Sequence, residues 1–182
     1  MSSSHSSISR CRAGGTIVAV ILAAGSLTLF SSGLAFANND PHRVFLPSSP
    51  FDIAANVCGF VVHVDVPVDR QYGTFSEAPD GSVILKITGS LIWTLTNTTN
   101  EKSVTLNASG PGVVTFPADT SLAIIDAHGL NIIYVTNGAD FGMPNLFYSS
   151  GSLLFTTDLA TDTIVSLDRK PHVQLDVCAA LA

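Results

Sequence analysis

The sequence predicts an all-β protein: an antiparallel up-and-down β-barrel of about eight strands, with a two-sheet β-sandwich as the alternative. Three observations carry this. Apolar residues recur at every second position through most of the chain, and no segment has convincing helical spacing. Short runs rich in Val, Ile, Leu and Phe are separated by turn signals such as "DAHG", "NGADFG" and "ATDT". The run "SVILKITGSLIWTLT" would span roughly 45 Å, too long for one straight strand in a small domain, and Gly89 at its middle permits a bend. A bent strand that keeps its apolar face fits a sheet curling toward closure.

The first 37 residues read as a secretory signal peptide. Arg10 and Arg12 precede the uncharged run "TIVAVILAAGSLTLF", and "SSGLAFA" ends in small residues that suit cleavage after Ala37. A retained membrane anchor is the competing reading, weakened by Gly25, Ser26, Ser31, Ser32 and Gly33 within the apolar stretch. Cleavage would remove Cys11, leave no stable membrane anchor and place the protein outside the cell.

Residues 38–182 hold 6 of the 8 Lys and Arg and all 14 Asp and Glu, a formal charge of −8. Such an acidic chain has no footprint for a phosphate backbone, so nucleic acid is not expected as a partner. The remaining length makes one domain. Residues 38–55, with three prolines, read as an extended N-terminal arm with loosely held apolar contacts, and 56–182 as a single β-barrel domain.

Within that domain "VCGFVVHVDV" is the first strand, with Cys58, Phe60, Val62, Val64 and Val66 on its apolar face. The long strand follows, with Val83, Leu85, Ile87, Gly89, Leu91, Trp93 and Leu95 on one face. "NTTNEKS" is a polar turn. "SVTLNAS" then points Val104 and Leu106 inward, and "SGPG" ends it. "GVVTF", "SLAIID", "LNIIYVT", "NLFYSSGSLLFTT", "TIVSL" and "HVQLDV" complete the set.

Cys58 and Cys178 are the two cysteines left after cleavage. Outside the cell such a pair tends to oxidise, and closing a loop of 120 residues would stabilise the fold by roughly 4–5 kcal/mol on a chain-entropy estimate. Two unpaired buried thiols are the alternative. Cys178 shares parity with Gln174 and Asp176 rather than with the apolar Val173, Leu175 and Val177, so a bridge needs a bulge or a strand that ends earlier, at a rim.

"CGF" at the first strand, "TG" at the bend, "LTNTTNEKSVTLNASGPG" and the terminal "DVCAALA" resemble a group of uncharacterised secreted all-β proteins from actinobacteria. The resemblance covers about Val57 to Ala182. It implies export, a β-rich fold and the Cys58–Cys178 pairing, and carries no activity, cofactor or catalytic residue. The strand pattern alone is similar to the barrels of allene oxide cyclase and the lipocalins.

Chemistry-bearing residues are sparse. His63 with Asp65 and Asp126 with His128 each place an imidazole and a carboxylate on one strand face, the weak candidates for a metal site. The first pair faces away from the apolar side, and the second reads as a hairpin turn, so no metal and no cofactor are expected. No G-x-S-x-G elbow occurs, no catalytic residue stands out, and Glu77 and Glu101 sit in turn-like surroundings. "NTTN" and "NAS" match the N-glycosylation pattern at Asn97 and Asn107, read as polar turns. Phe141, Met143, Leu146 and Phe147 form a candidate binding loop at one end of the barrel, or else plug the core there. The reading is a secreted, non-enzymatic binding or envelope-associated domain whose partner stays open between a cell-envelope component and a small apolar ligand. The alternatives are a lipocalin-like carrier of a small apolar ligand and a small cyclase or hydrolase.

Overall fold

Strand alternation survives in the structure, but two features interrupt it and both shape the fold. The computed structural model describes residues 43–118 and 120–182. The signal segment, Cys11 and residues 38–42 lie outside the described residues. Among the described residues twelve strands, two short α-helices and one 3-10 turn (Gly138–Phe141, between β8 and β9) follow in chain order: β1 (Arg43–Phe45), β2 (Phe51–Ile53), α1 (Ala55–Cys58), β3 (Val62–Glu77), β4 (Val83–Asn97), β5 (Ser103–Asn107), β6 (Gly112–Phe116), β7 (Leu122–His128), β8 (Asn131–Tyr134), β9 (Leu146–Ser150), β10 (Ser152–Asp158), β11 (Thr163–Arg169), β12 (His172–Asp176) and α2 (Val177–Leu181). The protein is all-β, with antiparallel pairing throughout these ladders.

Nine strands form one sheet, with a path β1-β3-β4-β6-β7-β10-β11 and with β2 and β5 paired to β3 and β4. Among the described residues the path starts at β1 and ends at β11 without a ladder joining the two. A second sheet has the order β12-β9-β8. The residues of the N-terminal arm are more engaged than the sequence suggests: β1 and β2 both pair with β3, at Thr74–Tyr72 and at Val64–Val62.

The first interruption is Pro67. Its missing N–H cannot join the ladder, and the β3–β4 register slips between Asp65 and Val68. Before the slip Val62 and Val64 are buried; after it the odd residues Gln71 and Gly73 are. The sequence reading stopped this strand near Val66 because alternation changes phase there.

The second is Gly89. Its φ is +130°, and a Cβ there would lie 2.0 Å from the Arg70 carbonyl oxygen, so only glycine fits. From Leu85 to Leu95 the odd-numbered face of β4 stays turned to the core on both sides of the bend, while Val83, expected on that face, is exposed at the strand's start. Leu85 and Ile87 join one hydrophobic cluster with Val114, Ile125, Ile133, Phe147 and Phe155. Leu91, Trp93 and Leu95 join another with Ile53, Val64, Ile132, Tyr134 and Leu146. One half of β4 pairs with β6 and the other with β5. Ser109 spans the break between them: the Leu91 N–H donates to its Oγ (2.9 Å), and that hydroxyl donates back to the Leu91 carbonyl (3.2 Å).

The small sheet divides the two clusters. In β8 the side chains go alternately to each, Ile133 to the first and Ile132 and Tyr134 to the second; in β9 Phe147 and Leu146 do the same. A sheet buried on both faces needs a continuous apolar run, which is why "NIIYV" does not alternate. The sequence reading also joined β9 and β10 into one strand. Gly151, with φ +89°, separates them, and the chain passes there from the small sheet to the large one.

The ends meet at the second cluster. Cys58 lies on α1, not in the first strand as expected, and Cys178 lies on α2, just after β12 ends at Asp176. They form a disulfide with Cα atoms 5.2 Å apart, within the ordinary range. The parity conflict of Cys178 disappears because helix, not strand, carries it.

Candidate functional site

The loop singled out from sequence is a packing element. Met143, Leu146 and Phe147 are buried, and Phe141 packs against the first cluster. Asn137 grips Ile164 through both its carboxamide atoms. Asn145 accepts from the Gly138 N–H (2.9 Å) and donates to the Val57 carbonyl (3.2 Å). Lys170 closes the loop by donating to the carbonyls of Phe141 and Gly142. Met143, Leu146 and Phe147 therefore face inward, and Phe141 is partly covered.

The two histidine–carboxylate pairs stand apart, each on an exposed sheet face. His63 Nδ1 lies 2.6 Å from Asp52 Oδ1 and its Nε2 lies 3.5 Å from Asp65 Oδ1. The hydrogen bond with Asp52 raises the His63 pKa above its ordinary value, with Asp65 adding to it and burial opposing. His128 Nε2 lies 3.1 Å from Asp126 Oδ1, which also holds Arg169 at 3.4 Å. Arg169 donates to the Ser152 hydroxyl (2.6 Å), so that serine is tied to a cation rather than to a base. Asp126 and His128 belong to β7 itself, not to a turn; the turn is Gly129–Leu130. Among the described residues no three of His, Cys, Asp and Glu come together as a metal site.

A cleft of about 50 Å³ opens between β2, α1 and β8, lined by Asp52, Asn56, Tyr134, Thr136 and Asp162 among others. It has room for water or a small ion, against about 300 Å³ for the smallest ordinary ligand pocket.

The remaining polar feature lies on the outer face of the large sheet. Cross-strand register puts Arg43, Thr74 and Lys86 in one row and Phe45, Tyr72 and Thr88 in the next. Arg70 and Ser90 continue the same face. The Arg43 guanidinium sits 4.2 Å above the Tyr72 ring, and Phe45 meets that ring edge-on at 5.7 Å. Phe45 is 49% exposed. Sequence reasoning missed this group because it assigned neither β1 nor the second half of β3. The one available signal was the alternation of Arg70, Tyr72 and Thr74 after Pro67.

The asparagines that match the glycosylation pattern also divide. Asn97 is buried, its Nδ2 donating to the Leu181 carbonyl and its Oδ1 accepting from the Thr99 N–H. Asn107 is exposed, and its Oδ1 accepts from the Ser109 N–H.

No protein-family model, curated protein or solved structure matches this chain. Fold and surface together define a class: an all-β domain of two antiparallel sheets, closed by one disulfide, with its polar chemistry on outer sheet faces. Among the described residues no helix is long and apolar enough to cross a membrane.

Proposed function

We propose that this is an exported, non-enzymatic domain that acts through its outer surface on a cell-envelope component, and that its two sheets pack in the manner of a sandwich. One observation carries the reading. Both hydrophobic clusters are filled, with Trp93, Phe147 and Phe155 each 1% exposed or less, and the small sheet occupies the space where a carrier would hold its ligand. A packed interior of this kind is a scaffold. The paired cysteines add a second support, because such bonds persist in oxidising compartments.

Export is tested by expressing the full chain with its leader and measuring the intact mass of protein from the culture fluid. The expected mass begins at Asn38 and rises by two hydrogens on reduction. Native mass spectrometry of the same sample separates the readings: a clean protein mass supports surface action, whereas a co-purifying lipid or pigment would replace it with the carrier.

A further inference from the structure

Six basic residues follow position 37, and the structure commits three of them. Lys102 donates to the Ala182 carbonyl, Arg169 holds Asp126, and Lys170 caps the loop at Phe141 and Gly142. The other three are Arg43, Arg70 and Lys86. Among the described residues none of them has a carboxylate within ion-pair distance, and all three project from one face of the large sheet. On a chain of formal charge −6, three cations without a carboxylate on one face, Arg43 resting on the Tyr72 ring, suit an anionic partner.

The setting narrows the partner. Arg43 and Lys86 are two strands apart in one row, about 10 Å at ordinary strand spacing. Between and beside them stand the hydroxyls of Thr74, Thr88 and Ser90 and the rings of Phe45 and Tyr72. Side chains set out in rows across neighbouring strands suit an extended polymer rather than a compact ligand. Sugar rings offer C–H faces that lie against aromatic rings and hydroxyls that exchange hydrogen bonds with Thr and Ser, while uronate carboxylates meet the cations. A membrane surface would instead favour an apolar band free of hydroxyls. The neighbouring acid in the same row, Asp126, is already held by His128 and Arg169 and leaves the cations unquenched. We infer that the Arg43–Phe45–Tyr72–Lys86 face, with Arg70, binds an acidic, uronate-bearing polysaccharide. This rests on the surface-acting reading above.

The test uses the full secreted chain with its disulfide intact and polygalacturonate as probe, with neutral dextran as control. Binding to polygalacturonate and not to dextran is expected, weakening as salt rises. Arg43→Gln and Lys86→Gln should each weaken it about fivefold, the scale of one exposed ionic contact, and Phe45→Ser should weaken it comparably. Lys102→Gln makes the same charge change elsewhere and should leave it unchanged. These side chains are exposed, so the thermal midpoints of the variants report whether folding is preserved. Absence of binding to polygalacturonate overturns the inference. So does stronger binding to single-stranded DNA or to vesicles of equimolar phosphatidylcholine and phosphatidylglycerol. Binding that survives all three substitutions overturns this face while leaving surface action standing, whereas a co-purifying apolar ligand removes the reading beneath it.

Discussion

The side-chain amide of Asn97 donates to the backbone carbonyl of Leu181 across 3.0 Å, joining the end of β4 to the last turn of α2. Asn100 makes a second bond to the same carbonyl, also at 3.0 Å. A helix as short as α2 cannot satisfy its own terminal carbonyls. The "NTTN" turn does so for it, and Val177 and Leu181 are thereby held fully buried in the second cluster.

Replacing Asn97 by Ala should cost about 2–3 kcal/mol, because the amide is buried and both its bond to Leu181 and its bond from the Thr99 N–H are lost. Asn97→Asp should cost at least as much, since a carboxylate accepts from Thr99 but cannot donate to Leu181. Urea unfolding of the two variants against Asn100→Ala checks this: Leu181 keeps one donor in either Ala variant, but Asn100 is exposed where Asn97 is buried, so the Asn100→Ala loss should be smaller.

These contacts explain how much the sequence disclosed. Period-two patterns in "SVILKITGSLIWTLT" located β4 to within a residue at each end, and Gly89 marked the bend because only its chemistry allows one there. The all-β class, antiparallel pairing and the cystine were legible for similar local reasons. What was hidden depended on partners distant in sequence. The phase change at Pro67 concealed the second half of β3, and with it the face carrying Arg70 and Tyr72. β1 is three residues long and holds its place only by pairing with β3. Leu146 and Phe147 read both as the start of a strand and as part of a candidate loop, because a strand buried on both faces shows no alternation to separate the two. The helices α1 and α2 have four and five residues, below what periodicity can reveal.

Gly89→Ala should be among the most destabilising single substitutions in the large sheet. The added Cβ meets the Arg70 carbonyl oxygen at 2.0 Å, a backbone atom that cannot swing aside, at a positive φ. Strain of both kinds is expected to cost more than about 3 kcal/mol or to prevent folding. Gly151→Ala is the control. Its φ is also positive but nothing lies within 4 Å of the added atom, so the loss should be about 1 kcal/mol. Denaturation midpoints of the pair separate collision from conformational preference.

Filling of the interior is open to the same kind of measurement. Phe147 is fully buried between β8 and β12, and Phe147→Ala should cost about 3–5 kcal/mol. Ile124, 37% exposed on the outer face, should tolerate Thr within about 0.5 kcal/mol. Near-equal effects would mean that the clusters are loosely packed.

His63 gives the fold a weak pH dependence of defined sign. Its pKa is raised in the folded state, chiefly by the hydrogen bond with Asp52. The associated stability is therefore fully present below the unfolded value of about 6.5 and is lost as pH rises through the folded value. Unfolding free energy should decline slightly from about pH 6 to about pH 8, and the decline should shrink in His63→Gln. All three side chains are largely exposed, so the effect is small and should diminish further in high salt. Titrating the His63 imidazole by NMR tests the cause directly: its midpoint should lie above the ordinary histidine value and fall in Asp52→Asn.

Reduction of Cys58–Cys178 should lower stability without dismantling the native contacts around it. The bond closes 120 residues, for which the chain-entropy estimate is about 4–5 kcal/mol, acting on the unfolded ensemble. In the folded state α2 keeps other anchors: the Asp176 side chain caps it through the Ala179 N–H at 3.0 Å, Asn97 and Asn100 hold Leu181, and Val177 and Leu181 remain packed. Cys58→Ser and Cys178→Ser should therefore lose similar amounts, and the double variant should lose little more than either, because one covalent link is removed in every case. Hydrogen exchange in β7 and β10, which belong to the other cluster, should change only through global unfolding. Combining Cys178→Ser with Asn97→Ala removes both the covalent and the polar attachment of α2. Local exchange in Val177–Leu181 should then accelerate well ahead of the rest of the protein. If exchange there stays as slow as in β10, burial of Val177 and Leu181 alone holds the helix, and the Asn97–Leu181 bond has no part in it.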